Sequence, residues 1–271
     1  MRGFFDNILY IIYSGGNMLA PNEIAETAVR VSEKKANLSW WRMLILGIFA
    51  GAFIALAGVG ATFANVYVGK IAGALVFPAG LAMVVIAGSE LFTGNSLMIT
   101  GLLSRKFGFS KLLKNWLFVF IGNLIGAVIV AGLVTVSGVF DSISETVIAT
   151  ANAKVNLGFG EAMIRGVLCN FLVCIAVWMA FAADSVGGKI AAVFLPIMLF
   201  VLCGFEHSVA NMFYVPAGMF MSALGGVVGP SVAGFLVGNL IPVTLGNIIG
   251  GAIFVGGGYY LVYLKKNSNK K

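Results

Sequence analysis

Two carboxylates stand deep in apolar sequence, each five residues ahead of an asparagine: Glu90 and Asn95 in G-S-E-L-F-T-G-N, and Glu206 and Asn211 in G-F-E-H-S-V-A-N. Gly88 and Gly204 lead the two strings. A carboxylate is costly in hydrocarbon, so a pattern made twice points to duplicated machinery inside a membrane. A break in a membrane helix opens backbone groups that protein or cavity water must satisfy, and a carboxyl with its asparagine can do this and stabilise the loop. A proton-carrying acid is the rival role. His207, the one histidine of the chain, follows Glu206 directly. An imidazole at that depth can hold or pass a proton. Thr93 brings a hydroxyl to the corresponding break of the first half, and the pseudo-symmetry of the two breaks pairs it with His207. His207 lacks the Cys or His companions of a metal site, so no metal or cofactor is expected.

Bulky apolar residues surround both breaks: Phe77, Leu81, Leu91, Phe92, Val173 and Phe200. They are either core packing or parts of a dewetted constriction. Lys154, just ahead of the fourth apolar span, and Asn170, within it, are a cation and an amide that would gather anions in an outer vestibule. A solvated loop lysine is the plainer alternative.

These residues need elements that cross a bilayer, and the composition supplies them. Of 271 residues, 60% are hydrophobic and 10% charged, where a soluble domain carries roughly 25% charged residues. That excludes an ordinary soluble enzyme. The net charge of +7 does not form a nucleic-acid face, because the cations lie between and beyond the apolar runs, where membrane lipids with anionic headgroups are the fitting partner. Cys169, Cys174 and Cys203 lie in apolar segments and read as packing residues.

Six apolar spans are expected, at 43–61, 71–103, 113–136, 162–183, 190–213 and 240–264. The second is too long for one crossing of about 20 residues. It carries Pro78, Gly80, Gly88 and Gly94, and the fifth carries Pro196 and Gly204, with Pro216 close behind. These are the marks of discontinuous helices at matching places in two halves. G-N-L-I-G-A at Gly122 is echoed by G-N-I-I-G-G at Gly246, and G-I-F-A-G at Gly47 suits close helix contact. The expected layout is a cytoplasmic segment 1–42, one transmembrane domain 43–264 of two inverted repeats (43–136 and 162–264), and a basic tail 265–271.

Met1 to Ala20 mixes charge, polar residues and glycine, unlike a cleavable leader. Pro21 to Ala36, with Ile24, Ala28 and Val31 at helical spacing, forms either a helix along the membrane surface or a cap on the bundle. Cytoplasmic termini would leave Lys70, Lys154 and Arg165 as the only outer cations among the 17 Lys and Arg, as the positive-inside rule demands.

The strings G-S-E-L-F-T-G-N, N-W-L-F-V-F-I-G-N-L-I-G, F-L-V-C-I-A-V-W-M-A, G-F-E-H-S-V-A-N-M-F and N-L-I-P-V-T-L-G-N-I-I-G-G together resemble the formate/nitrite transporter family. The last two strings and the Gly-rich, aromatic end look most like its formate channels. The resemblance implies an all-α, aquaporin-like fold of six transmembrane helices in an inverted 3+3 repeat, with broken second and fifth helices. It implies a homopentamer in the inner membrane with a pore in each protomer. It places Thr93 and His207 at the pore centre, Leu91, Phe92 and Val173 in a cytoplasmic constriction, Phe77, Leu81 and Phe200 in an outer one, and Lys154 and Asn170 in the outer vestibule. On the reading of the residues themselves, Glu90, Asn95, Glu206 and Asn211 are expected to stabilise the loops.

A bare anion loses its hydration in an apolar ring without replacement. The expected path for formate therefore runs through capture by Lys154, rising basicity on desolvation, and a proton from the region of His207, with electrogenic anion passage as the alternative. Nitrite and hydrosulfide share the needed chemistry. A water or neutral-solute channel is disfavoured because neither break holds the Asn-Pro-Ala pair typical of aquaporins. An intramembrane enzyme is disfavoured because Ser208 beside His207 has no base or ligand cluster around it.

Overall fold

A computed structural model describes residues 18–265. The expectations for residues 1–17 (Arg2 included) and 266–271 (Lys266, Lys270 and Lys271) lie outside the described residues. Within them the chain is all helix, with six helices long and apolar enough to span a bilayer.

Helix α1, Pro21–Ala36, precedes the first span, α2, Trp40–Tyr67. The second span, α3, Lys70–Ala87, runs through Pro78, whose missing N–H falls at the start of a new turn rather than at a break. The break comes at Gly88, held at φ 74°, a left-handed geometry that ends a helix and that glycine adopts without a Cβ penalty. A short helix, α4, Gly94–Leu103, completes the crossing. The third span, α5, Phe109–Val136, closes the first half.

The second half repeats the plan. Helix α6, Ser144–Val155, stands before the fourth span, α7, Phe159–Ala182. The fifth span, α8, Val186–Cys203, stops at Gly204, with φ 71°, and α9, Ser208–Gly225, continues after the break. The sixth span, α10, Gly234–Leu264, begins six residues before the expected 240. Likewise the fifth apolar run does not end at Phe213, because α9 carries it on to Gly225.

One tight helix pair holds each repeat. Helix α5 packs on α2 so closely that a Cβ at Gly126 would run into the Ile48 carbonyl, and α10 on α7 so closely that one at Gly250 would run into the Val167 carbonyl. Small residues let membrane helices gain dispersion contacts where no hydrophobic drive separates them from lipid. Gly126 and Gly250 end the two echoed G-N-x-I-G strings.

Helix α1 caps the bundle rather than lying along a membrane surface. Ile24, Ala25, Ala28 and Val29 are buried, and the Ser32 hydroxyl donates to the Ala28 carbonyl at 2.6 Å and meets Thr100 Oγ1 of α4 at 3.3 Å. Cys169 and Cys174 are buried as packing residues, whereas Cys203 is exposed.

Candidate functional site: two matching brackets around an apolar chamber

After each glycine the chain leaves its helix, and one asparagine from a neighbouring helix takes up the freed backbone. In the first half, Asn123 Nδ2 donates to the carbonyls of Gly47 (2.8 Å) and Glu90 (2.9 Å), and its Oδ1 accepts Phe92 N–H at 2.9 Å. In the second, Asn247 Nδ2 donates to the carbonyls of Gly166 (2.8 Å) and Glu206 (3.0 Å), and its Oδ1 accepts Ser208 N–H at 2.9 Å. Glu90 N–H reaches the Leu46 carbonyl, and Glu206 N–H the Arg165 carbonyl. Backbone groups that no water can reach are thus satisfied twice by the same device.

The carboxylates are bracketed in the same way. Asn95 Nδ2 donates to Glu90 Oε2 at 2.7 Å and to Asn115 Oδ1 at 2.8 Å. Asn211 Nδ2 donates to Glu206 Oε2 at 2.6 Å and to Asn239 Oδ1 at 2.7 Å. Each glutamate also holds a lysine: Lys35 Nζ lies 2.6 Å from Glu90 Oε1, and Lys154 Nζ lies 2.9 and 3.1 Å from the oxygens of Glu206. Asn115 and Asn239 turn their amides to the carbonyls of those same two lysines. Helix α1 therefore stands to the first half as α6 stands to the second.

Three spaces, joined by shared lining residues, accompany these networks. A vestibule of about 200 Å³ on the α6 face is lined by Lys70, Lys154, Glu206, Tyr214, Phe77 and Phe200, among others. One of about 220 Å³ on the α1 face is lined by Lys35, Glu90, Leu81 and Leu91, among others. Between them lies a chamber of about 10 Å³, room for about one water. Phe77 and Phe200 meet edge-on at 5.7 Å and line both the chamber and the α6-side vestibule. Leu81 and Leu91 line the chamber and the α1-side vestibule. Ile54, Val173 and Ile197 complete the apolar wall, and His207 is its one polar lining residue.

The His207 ring is held at both nitrogens. Nδ1 accepts Ala210 N–H at 3.0 Å, which caps α9, and Nε2 lies 2.9 Å from Thr93 Oγ1. A nitrogen that accepts an N–H carries no proton, so in this geometry the neutral ring holds its hydrogen on Nε2 and donates it to Thr93. The Phe200 ring stacks on the imidazole at 5.8 Å and 19°.

Several expectations about these residues change. Thr93 and His207 do meet, but not as symmetry mates: the brackets at Phe92 N–H and Ser208 N–H align Leu91 with His207 and Thr93 with Val209. Phe92 lines none of the three spaces, because its ring packs edge-on against Phe120 (5.0 Å) and Trp116 (6.0 Å). Leu81 stands on the α1 side of the chamber with Leu91, not on the side of Phe77 and Phe200. Asn170 is fully buried away from the vestibule, its amide donating to the carbonyls of Thr93 (3.2 Å) and Asn247 (2.7 Å) and to Ser96 Oγ (3.1 Å). It ties the first break to α10 at Asn247, the residue whose side chain brackets the second. Lys154 does line its vestibule, but as half of an ion pair.

Five residues of the brackets were not anticipated: Lys35, Asn115, Asn123, Asn239 and Asn247. A signal existed for four of them. Asn123 and Asn247 sit in the echoed G-N-x-I-G strings, and Asn115 and Asn239 each stand eight residues earlier. Nothing local ties Lys35 to Glu90.

The family described as formate/nitrite transporter matches residues 22–261. The chain belongs to the formate/nitrite transporter family. An uncharacterized transporter of Bacillus subtilis (strain 168), YrhG, is 42% identical over 93% of this chain and 96% of its own. The formate channel FocA of Escherichia coli (strain K12) is 36% identical over 93% of this chain and 97% of its own. A solved pentameric formate channel with formate bound superposes with a TM-score of 0.73 at 36% identity, over 83% of this chain and 98% of that one. Membership agrees with the all-helical fold and its spans, and it makes this transporter a membrane protein whose relatives are channels and transporters rather than enzymes.

Proposed function

We propose that this transporter is a channel for small monovalent anions and their conjugate weak acids, formate foremost, and that each protomer of a pentamer carries its own path. The bracketed chamber is the observation that carries the reading. A polar vestibule with a Lys–Glu pair opens on either side of a space walled by apolar residues and one imidazole. Such a wall holds back hydrated ions, whose lost shell it cannot replace, and admits a species that has become neutral. Phe77 with Phe200 closes one side, and Leu81 with Leu91 the other, with Val173 on the chamber wall. Formate channels among the relatives support formate over nitrite or hydrosulfide. The cation distribution supports a cytoplasmic α1 face, cytoplasmic termini and the cytoplasmic membrane.

His207 acts here as a hydrogen-bond donor. Giving up the Nε2 proton would leave an anionic ring unless Nδ1 gained one, and Nδ1 is occupied by Ala210 N–H. The Thr93 oxygen receives the Nε2 hydrogen and so fixes the imidazole against the chamber, while Thr93 itself is fully buried and lines none of the three spaces. The proton that neutralises formate then arrives with it from vestibule water.

Labelled formate entry into liposomes holding the purified protein tests the function, with nitrite and hydrosulfide as competitors. Rapid, saturable formate entry is expected. Brisk nitrite or hydrosulfide entry without formate would replace the substrate, and silence for all three in vesicles with folded oligomer would overturn the channel. His207→Asn separates donor from relay, because an asparagine oxygen can still cap Ala210 N–H but cannot titrate. A donor role predicts lower flux with an unshifted pH profile, and a shifted profile would restore the relay.

A further inference from the structure

The vestibule on the α6 face holds more positive than negative charge. Its charged lining residues are Lys70, Lys154 and Glu206. Lys154 contacts both oxygens of Glu206, and the two side chains are 17% and 6% exposed. An ion pair this close presents a dipole rather than a charge to an approaching anion. Lys70 is exposed at the start of α3, and among the described residues its ammonium makes no ion pair. Asp141, Glu145 and Glu161 lie in neighbouring segments but do not line the vestibule. The hydroxyls of Thr62 and Thr150, also in the lining, donate to carbonyls of their own helices. The opposite vestibule differs: its charged lining residues are Lys35 and Glu90, bonded to each other.

We infer that Lys70 is the anion-capture residue of this channel, and that it makes the α6 mouth, outer in the proposed orientation, bind a small monovalent anion more tightly than the inner mouth. The inference rests on the channel reading given above. A positive cleft with low-dielectric walls raises the local concentration of anions. The Lys154–Glu206 pair stabilises the break behind it, so capture and loop support fall to different lysines.

Formate entry is measured as a function of concentration in right-side-out and inside-out membrane vesicles holding the full chain, for the wild type, Lys70→Gln and Lys70→Arg. One unit charge roughly 10 Å away, at an effective dielectric constant between about 40 and 80, changes local anion occupancy about two- to four-fold. Lys70→Gln should therefore raise KM about two- to four-fold from the α6 face alone, with maximal flux unchanged and Lys70→Arg close to wild type. The difference should collapse at about 1 M salt, where the screening length is about 3 Å. An unchanged KM from that face, or an equal rise from both faces, would overturn the inference while normal wild-type flux kept the channel reading. If the wild type carries nitrite and not formate, the same comparison is read with nitrite. Loss of all wild-type flux would overturn both. Elution of Lys70→Gln as the same oligomer shows that the fold survives the change.

Discussion

Replacing Asn247 with alanine tests whether the brackets hold the breaks in place. The side chain makes three buried hydrogen bonds, to Gly166 and Glu206 carbonyls and from Ser208 N–H. The Gly166 carbonyl lies inside α7 and keeps its helical partner, so its loss counts little. Glu206 C=O and Ser208 N–H lie in the break and become orphans, at about 1–3 kcal/mol each. The expected cost is thus centred on about 4 kcal/mol, which at 2–4 °C per kcal/mol lowers the melting temperature by roughly 8–16 °C. His207 lies between those two orphans, so flux should fall as well. Thermal unfolding of the purified oligomer, followed by tryptophan fluorescence, reads the stability, with Asn65→Ala at an exposed position as control. Asn123→Ala should match it, since Glu90 C=O and Phe92 N–H are orphaned in the same way. A melting temperature within about 2 °C of wild type, with normal flux, would refute the bracket argument.

The Thr93 hydroxyl and the Lys35–Glu90 pair give two more tests. Thr93→Val leaves His207 Nε2–H without its acceptor at 2.9 Å, and loss of about 1–2 kcal/mol at the narrowest point should cut formate flux about 5- to 30-fold. Thr93→Ser should keep most of the flux, and equal rates for the two variants in the liposome assay would show that the hydroxyl does not act through His207. Lys35→Met leaves the Glu90 carboxylate, 6% exposed, without its cation, which should destabilise by about 2–4 kcal/mol since the lysine is only partly buried. Adding Glu90→Gln should recover at least about 1 kcal/mol of that loss in a double-mutant cycle read by thermal unfolding, and simple additivity would show that the pair is not coupled.

The apolar spans and the two breaks were legible because they rest on local rules. A bilayer demands apolar runs of fixed length, and a glycine before a carboxylate and an asparagine marks the place where a helix opens and must be satisfied. Those rules brought Glu90, Asn95, Glu206, Asn211 and His207 forward from the chain alone, and the echoed strings at Gly122 and Gly246 contained the asparagines that close the brackets. Direction and partnership were not legible. Whether Phe92 faces the path or Trp116, whether Asn170 meets water or the Thr93 carbonyl, and whether Lys154 stands free or against Glu206 depend on how each helix is rotated and how deeply it crosses its neighbour. Periodicity marks a face but not what that face meets. The pairing of Lys35 with Glu90, across 55 residues of chain, was decided only when α1 folded back over the first break, because an ion pair is set by distance in space and leaves no local trace in the sequence.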